Sequence, residues 1–164
     1  AMNGDLLQRI VEEVVSRLQR RAQSTVTLSV AQLRETPSRA LFSQYASVHI
    51  LQVDLPLLEQ IANNDSSHAA AVMIHEALAF GLRVQLSVQR RLLPAVPVKK
   101  LARLPLILCD EQGQPIMLHP TRLLSYADVA PLPAGLLVLH RKCVVTALAR
   151  ETASSRHIQL MKQE

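Results

Sequence analysis

The stretch "SVHILQVDLPLLEQIANNDSSHAAAVMIHEALAFGLRVQLSV", Ser47 to Val88, decides the fold. Its first part, Ser47 to Asp54, is rich in β-branched and aliphatic residues and is bounded by Pro56, so it reads as a buried strand. Leu55 to Asn64 follows as a short helix ending at an Asn pair. Ser66 or Ser67 then caps a helix running through Phe80, and Gly81 supplies the residue beyond its end. Arg83 to Val88 form the next strand. A strand, one or two helices and a strand, with glycine at the turn, make the βαβ unit of a parallel sheet. The expected fold is α/β, a Rossmann-like and partly parallel sheet flanked by helices.

Beyond this unit the alternation continues. "RRLLPAVPVKKLARLP" holds Pro94, Pro97 and Pro105 and reads as a loop with a short basic helix. Leu106 to Cys109 and Ile116 to Leu118 flank a Glu-Gln-Gly turn at Gly113, the pattern of a hairpin. Leu136 to His140 is a further strand, Thr146 to Ser155 a helix, and Ile158 to Met161 a final strand. Before the unit, Ala22 to Gln44 is mostly polar and broken by Pro37, which reads as a connector with a docking strand at Thr25 to Val30.

The amino terminus is different. In "DLLQRIVEEVVSRLQRR", Asp5 to Arg21, the residues Leu7, Ile10, Val11, Val14, Val15 and Leu18 fall within an arc of about 140° on a helical wheel. Glu12 and Glu13 stand towards its start and Arg17, Arg20 and Arg21 towards its end, which suits the helix dipole. A lone helix of this length is marginal in water, so its stripe has to be covered by something. Three segments are therefore expected: an amphipathic interaction helix over 1–24, a polar linker over 25–46 and the α/β domain over 47–164.

Composition bounds the function. The 164 residues leave room for one domain with an extension, and 49% apolar residues supply its core. The net charge is +5, but the basic residues come in small groups with no aromatic side chain interleaved to stack a base, so nucleic acid is not expected as a partner. No stretch approaches the length of a membrane span, and no secretory signal is visible, which points to a cytosolic chain with Cys109 and Cys143 as reduced thiols.

Catalytic and cofactor signatures are sparse. None of the six histidines pairs with another at helical spacing, and His75-Glu76 lacks the second histidine of a zinc helix. His49 and His140 both fall on expected strands and could face each other. The four glycines, Gly4, Gly81, Gly113 and Gly135, are too scattered to cradle a phosphate. Cys143 follows a strand beside Arg141 and Lys142, but no base accompanies it, and packing accounts for it better than nucleophilic work. Asp54, Asp110, Glu111 and Asp128 suit caps and turns. No catalytic, cofactor or metal residues are expected.

The opening helix resembles the short amphipathic tails that send cargo into bacterial microcompartments. The segments "TLSVAQLR" (Thr27 to Arg34), "HEALAFGLRVQLS" (His75 to Ser87), "LLPAVPVKKLARLPL" (Leu92 to Leu106), "HRKCVVTALAR" (His140 to Arg150) and "HIQLMKQE" (His157 to Glu164) are similar to a family of assembly proteins from the propanediol-utilisation microcompartment. The similarity runs the whole length from Met2. It implies a structural component of that compartment, with shell proteins or encapsulated enzymes as partners, no established enzymatic activity and no catalytic residues to carry over. Leu7, Ile10, Val11, Val14, Val15 and Leu18 are then the expected partner-binding residues. The alternative is an enzyme or binding protein of propanediol degradation that holds a small molecule or cofactor in a crevice at the strand ends.

Overall fold

The structure is a computed structural model describing residues 2–164, with the side chains of Met2 and residues 21–23 excepted. Ala1, part of the first expected segment, and the side chain of Arg21 lie outside the described residues.

The chain opens with helix α1 (Met2–Gln23). Strand β1 (Thr25–Ser29) and helices α2 (Val30–Glu35) and α3 (Ser38–Gln44) follow. Here the expected linker over 25–46 is replaced by structure. β1 joins the sheet as its first strand, and Leu33, Leu41 and Phe42 are buried in the core. Ser29 starts α2 through a capping box: its hydroxyl accepts from Gln32 N at 3.1 Å, and its own N–H donates to the Gln32 side chain at 2.9 Å. The polar composition of this stretch reflects caps and one exposed side, while its large apolar residues Leu33, Leu41 and Phe42 turn inward.

The βαβ unit forms as expected, from β2 (Ser47–Leu51) through α4 (Leu55–Ala62) and α5 (Ala69–Ala79) to β3 (Arg83–Ser87). β2 stops short of Asp54 because Gln52 turns to φ +51 and Asp54 caps α4, accepting from Leu57 N at 3.0 Å. α5 starts after His68, not at Ser66 or Ser67, because Ser67 is drawn into a turn on Asp65 Oδ1, donating through N–H and hydroxyl. Gly81 takes φ +86 beyond its end. A 3₁₀ turn (Arg90–Ala95) and α6 (Val98–Leu101) lead to β4 (Leu106–Cys109).

β4 and β5 (Pro115–His119) form the expected hairpin, held by Asp110 Oδ1, which accepts from Gln112 N and Gln114 N at 2.9 and 2.8 Å. Beyond it come β6 (Leu123–Leu124), α7 (Tyr126–Val129), β7 (Gly135–Leu139), β8 (Val144–Val145), α8 (Ala147–Ser155) and β9 (Ile158–Lys162). Thr146 caps α8 through Ala149 N at 3.1 Å.

Seven strands make one sheet in the order β1-β2-β3-β4-β5-β7-β9, parallel throughout except at the β4–β5 hairpin. β6 and β8 form a separate pair. The larger core lies on one face, where α2 to α6 pack on Val48, Ile50, Val84, Leu86, Leu108 and their neighbours. A smaller core lies on the other face, where α7 and α8 cover Leu137, Leu139, Ile158 and Cys143. β7, lying between the two, is buried at every residue. Over β1 to β4 the second face carries no helix among the described residues. The burial of β2 and β3 alternates accordingly, with Val48, Ile50, Val84 and Leu86 inside and Ser47, His49, Arg83, Gln85 and Ser87 outside.

Candidate functional site

The most prominent unsatisfied feature is α1. Its six stripe residues, Leu7, Ile10, Val11, Val14, Val15 and Leu18, are each between 44% and 62% exposed, and Leu6 extends the patch. An apolar face of this kind, unburied on a helix, marks an interaction surface. Glu13 pairs with Arg17 at 3.0 Å and with Arg20 at 3.7 Å, and Gln8 donates to Glu12 at 3.3 Å. These local contacts pin the charged side without touching the stripe. The carboxyl-terminal half of α1, through Val14 and Leu18, walls a shallow crevice closed by Ser24, Ser43 and Gln44. The sheet itself offers the stripe no cover.

The crevice at the carboxyl ends of the strands exists. It measures 370 Å³ and is lined by Ser29, Leu51, Gln52, Ser87, Gln89 and Glu111. The strands on either side of it follow in sequence order, without the reversal that opens a ligand crevice in doubly wound sheets. Glu111, its carboxylate, accepts from Arg90 N at 2.9 Å.

The titratable residues singled out in the sequence fall mostly into structural duties. Asp54 caps α4, Asp110 holds the hairpin and Asp128 closes a capping box with Ser125. The Ser125 N–H and hydroxyl hold the Asp128 carboxyl below its ordinary value, as Ser67 does for Asp65. Asp110 is fully buried, and its Oδ2 has no protein partner. Cys143 is buried under α8, and burial pushes its thiol up, opposite to what a nucleophile needs. His75 Nε2 lies 2.8 Å from the Ile61 carbonyl, His119 Nε2 2.8 Å from that of Leu123, and His140 Nδ1 accepts from Lys142 N.

His49 and His140 do not face each other. β3, β4 and β5 stand between their strands, a separation of about 19 Å at ordinary strand spacing. What His49 meets instead is a polar network on the uncovered sheet face. Its Nε2 lies 2.7 Å from Ser87 Oγ, and Ser87 Oγ lies 3.3 Å from Cys109 Sγ. Gln85 Nε2 donates to the same sulfur at 3.2 Å. The sequence carried a signal for this face in the alternating polar residues of "SVHIL" and "RVQLS". No three of His, Cys, Asp and Glu converge among the described residues, and no described helix is long and apolar enough to cross a membrane.

Residues 9–159 match the family described as "Putative propanediol utilisation". The chain is 63% identical over 163 residues to the bacterial microcompartment assembly protein PduM of Citrobacter freundii, covering 99% of this chain and all of the relative. It is equally 63% identical, over the same span, to the protein of the same name from Salmonella typhimurium strain LT2. No solved structure matches.

Proposed function

The chain belongs to the propanediol-utilisation family, and from that premise we propose that it is a non-enzymatic assembly component of a propanediol-utilisation microcompartment, docking to shell or cargo proteins through α1. The observation that carries the docking is the exposed stripe of six aliphatic side chains on a helix that its own sheet does not cover. The microcompartment setting comes from the relatives, both named as assembly proteins of such compartments. The body of the protein supports the reading from the other side. Asp54 serves a cap and the buried Asp110 a turn, and burial pushes the Cys143 thiol away from reactivity.

Burying one apolar stripe in a partner groove is how amphipathic helices bind, and six aliphatic anchors suit micromolar docking after ordering costs. The test is to fuse residues 2–23 to a fluorescent reporter in cells that make the compartments. Punctate fluorescence coincident with the compartments is expected. A diffuse reporter beside intact compartments overturns the docking role.

A further inference from the structure

The stripe on α1 calls for a surface of the same chemistry, and α1 itself is one. We propose that two copies of the chain pair through α1 as an antiparallel two-helix coiled coil. The pairing rests on the reading of α1 as an interaction helix and names a second copy of the chain as its occupant before docking.

The spacing carries the inference. Leu7, Val11, Val14 and Leu18 recur at intervals of four, three and four residues, the seam of a left-handed coiled coil. Ile10 and Val15 flank that seam, one on each side. Reversing one helix sets Leu7 against the second copy's Leu18 and Val11 against the second copy's Val14. A leucine layer then closes each end, valines fill the middle, and every seam position between them is aliphatic. The bare half of the sheet suits the stripe poorly, because its outward residues His49, Arg83, Gln85 and Ser87 are polar.

The charges choose the direction. The amino half of α1 carries Asp5 and Glu12 against Arg9, and the carboxyl half carries Arg17 and Arg20 against Glu13. Antiparallel pairing lays each acidic half along a basic one, brings Asp5 level with the second copy's Arg20, and opposes the two helix dipoles. Parallel pairing would stack like halves and align the dipoles. Glu12 and Glu13 meet at the midpoint, where Glu13 is already held by Arg17 at 3.0 Å and Arg20 at 3.7 Å of its own helix.

The exposure of the stripe sets the strength. Its six half-exposed side chains offer roughly 500 Å² per helix, so a pair covers about 1,000 Å², below the usual size of a stable interface. The expected dissociation constant is on the order of 10–100 μM, so the chain is monomeric, with its stripe in solvent, at high dilution. Pairing and docking use the same side chains, and a partner groove that binds more tightly takes the helix over.

The purified full chain is followed by sedimentation equilibrium from about 1 to about 300 μM, with no compartments present. A monomer at the low end and a dimer at the high end are expected. Leu18→Glu stays monomeric throughout, while Val144→Glu, an exposed apolar position on β8, dimerises like the parent. Direction is read by oxidation: Leu7→Cys and Leu18→Cys chains form a disulfide-linked dimer when mixed and little when either is alone. Cys109 and Cys143 are buried and do not compete. A monomer at the top of the range, unchanged association in Leu18→Glu, its loss in Val144→Glu, or a mixture that cross-links no better than either variant alone overturns the pairing. A monomeric chain with a punctate reporter strikes the pairing and spares the docking, and a dimer with a diffuse reporter does the reverse.

Discussion

Leu18→Glu separates docking from folding. Leu18 is 59% exposed in α1, so a partner groove can still bury roughly half of its side chain. Full burial of a leucine contributes about 1.5–3 kcal/mol, and the covered remainder therefore about 1 kcal/mol or slightly more. A glutamate forfeits that gain and places a carboxylate in an apolar contact, costing about 2 kcal/mol further. The total of about 3 kcal/mol corresponds to binding weaker by about two orders of magnitude. In the free protein the same substitution exchanges one solvated side chain for another, with an expected effect within about 0.5 kcal/mol. The assay is co-sedimentation of purified protein with isolated microcompartments, alongside a thermal scan. Binding is expected to collapse while the melting temperature stays within about 2 °C. A melting temperature lowered by 5 °C or more, with binding retained, would refute the reasoning and place the stripe on its own domain. Val14→Glu, on the same face, is expected to behave alike.

Gly135→Ala is expected to destabilise the sheet by about 3 kcal/mol or more, read as the urea midpoint. Gly135 has φ +152, and a Cβ there would stand 2.4 Å from the Pro115 carbonyl oxygen on the neighbouring strand. Cys143, buried with its thiol pushed up, is expected to resist iodoacetamide at pH 8 in the folded protein and to react fully in urea, as followed by mass spectrometry. Asp128 has a lowered folded pKa, so its stabilisation is present above the ordinary aspartate value of about 3.9 and lost as the pH falls through the folded value. Asp128→Ala is accordingly expected to cost about 0.5–1 kcal/mol at pH 7, as a lost cap does, with the difference from the parent closing at acid pH in denaturant titrations.

The βαβ unit was legible because its periodicity is local: Ser47 to Val88 contains the apolar runs, the proline and the glycine that punctuate them. α1 was legible for the same reason. The stretch from Thr25 to Gln44 was harder, because three inward residues, Leu33, Leu41 and Phe42, are diluted among polar ones that cap and face water. The placement of His49 depended on which strand lies beside which, and pairing across a sheet leaves no trace in residue spacing. The half-open face did leave one. In "SVHIL" the histidine breaks an aliphatic run at the outward position, and in "RVQLS" the arginine, glutamine and serine hold every outward position. Parallel strands sealed on both sides would read as unbroken apolar runs.

The bare window over β1 to β4 follows from chirality. Crossovers between parallel strands turn right-handed almost without exception. A chain that adds parallel strands steadily in one direction must therefore lay every connection on the same side, as α2 to α6 do here. The hairpin across 110–114 turns the strands end for end, and the same handedness then throws α7 and α8 to the opposite side. The boundary between shielded and accessible sheet is drawn by that one reversal. Shifting it by a strand would move the edge of the window about 4.8 Å across the molecule and seal or widen the ground on which His49 and Cys109 stand.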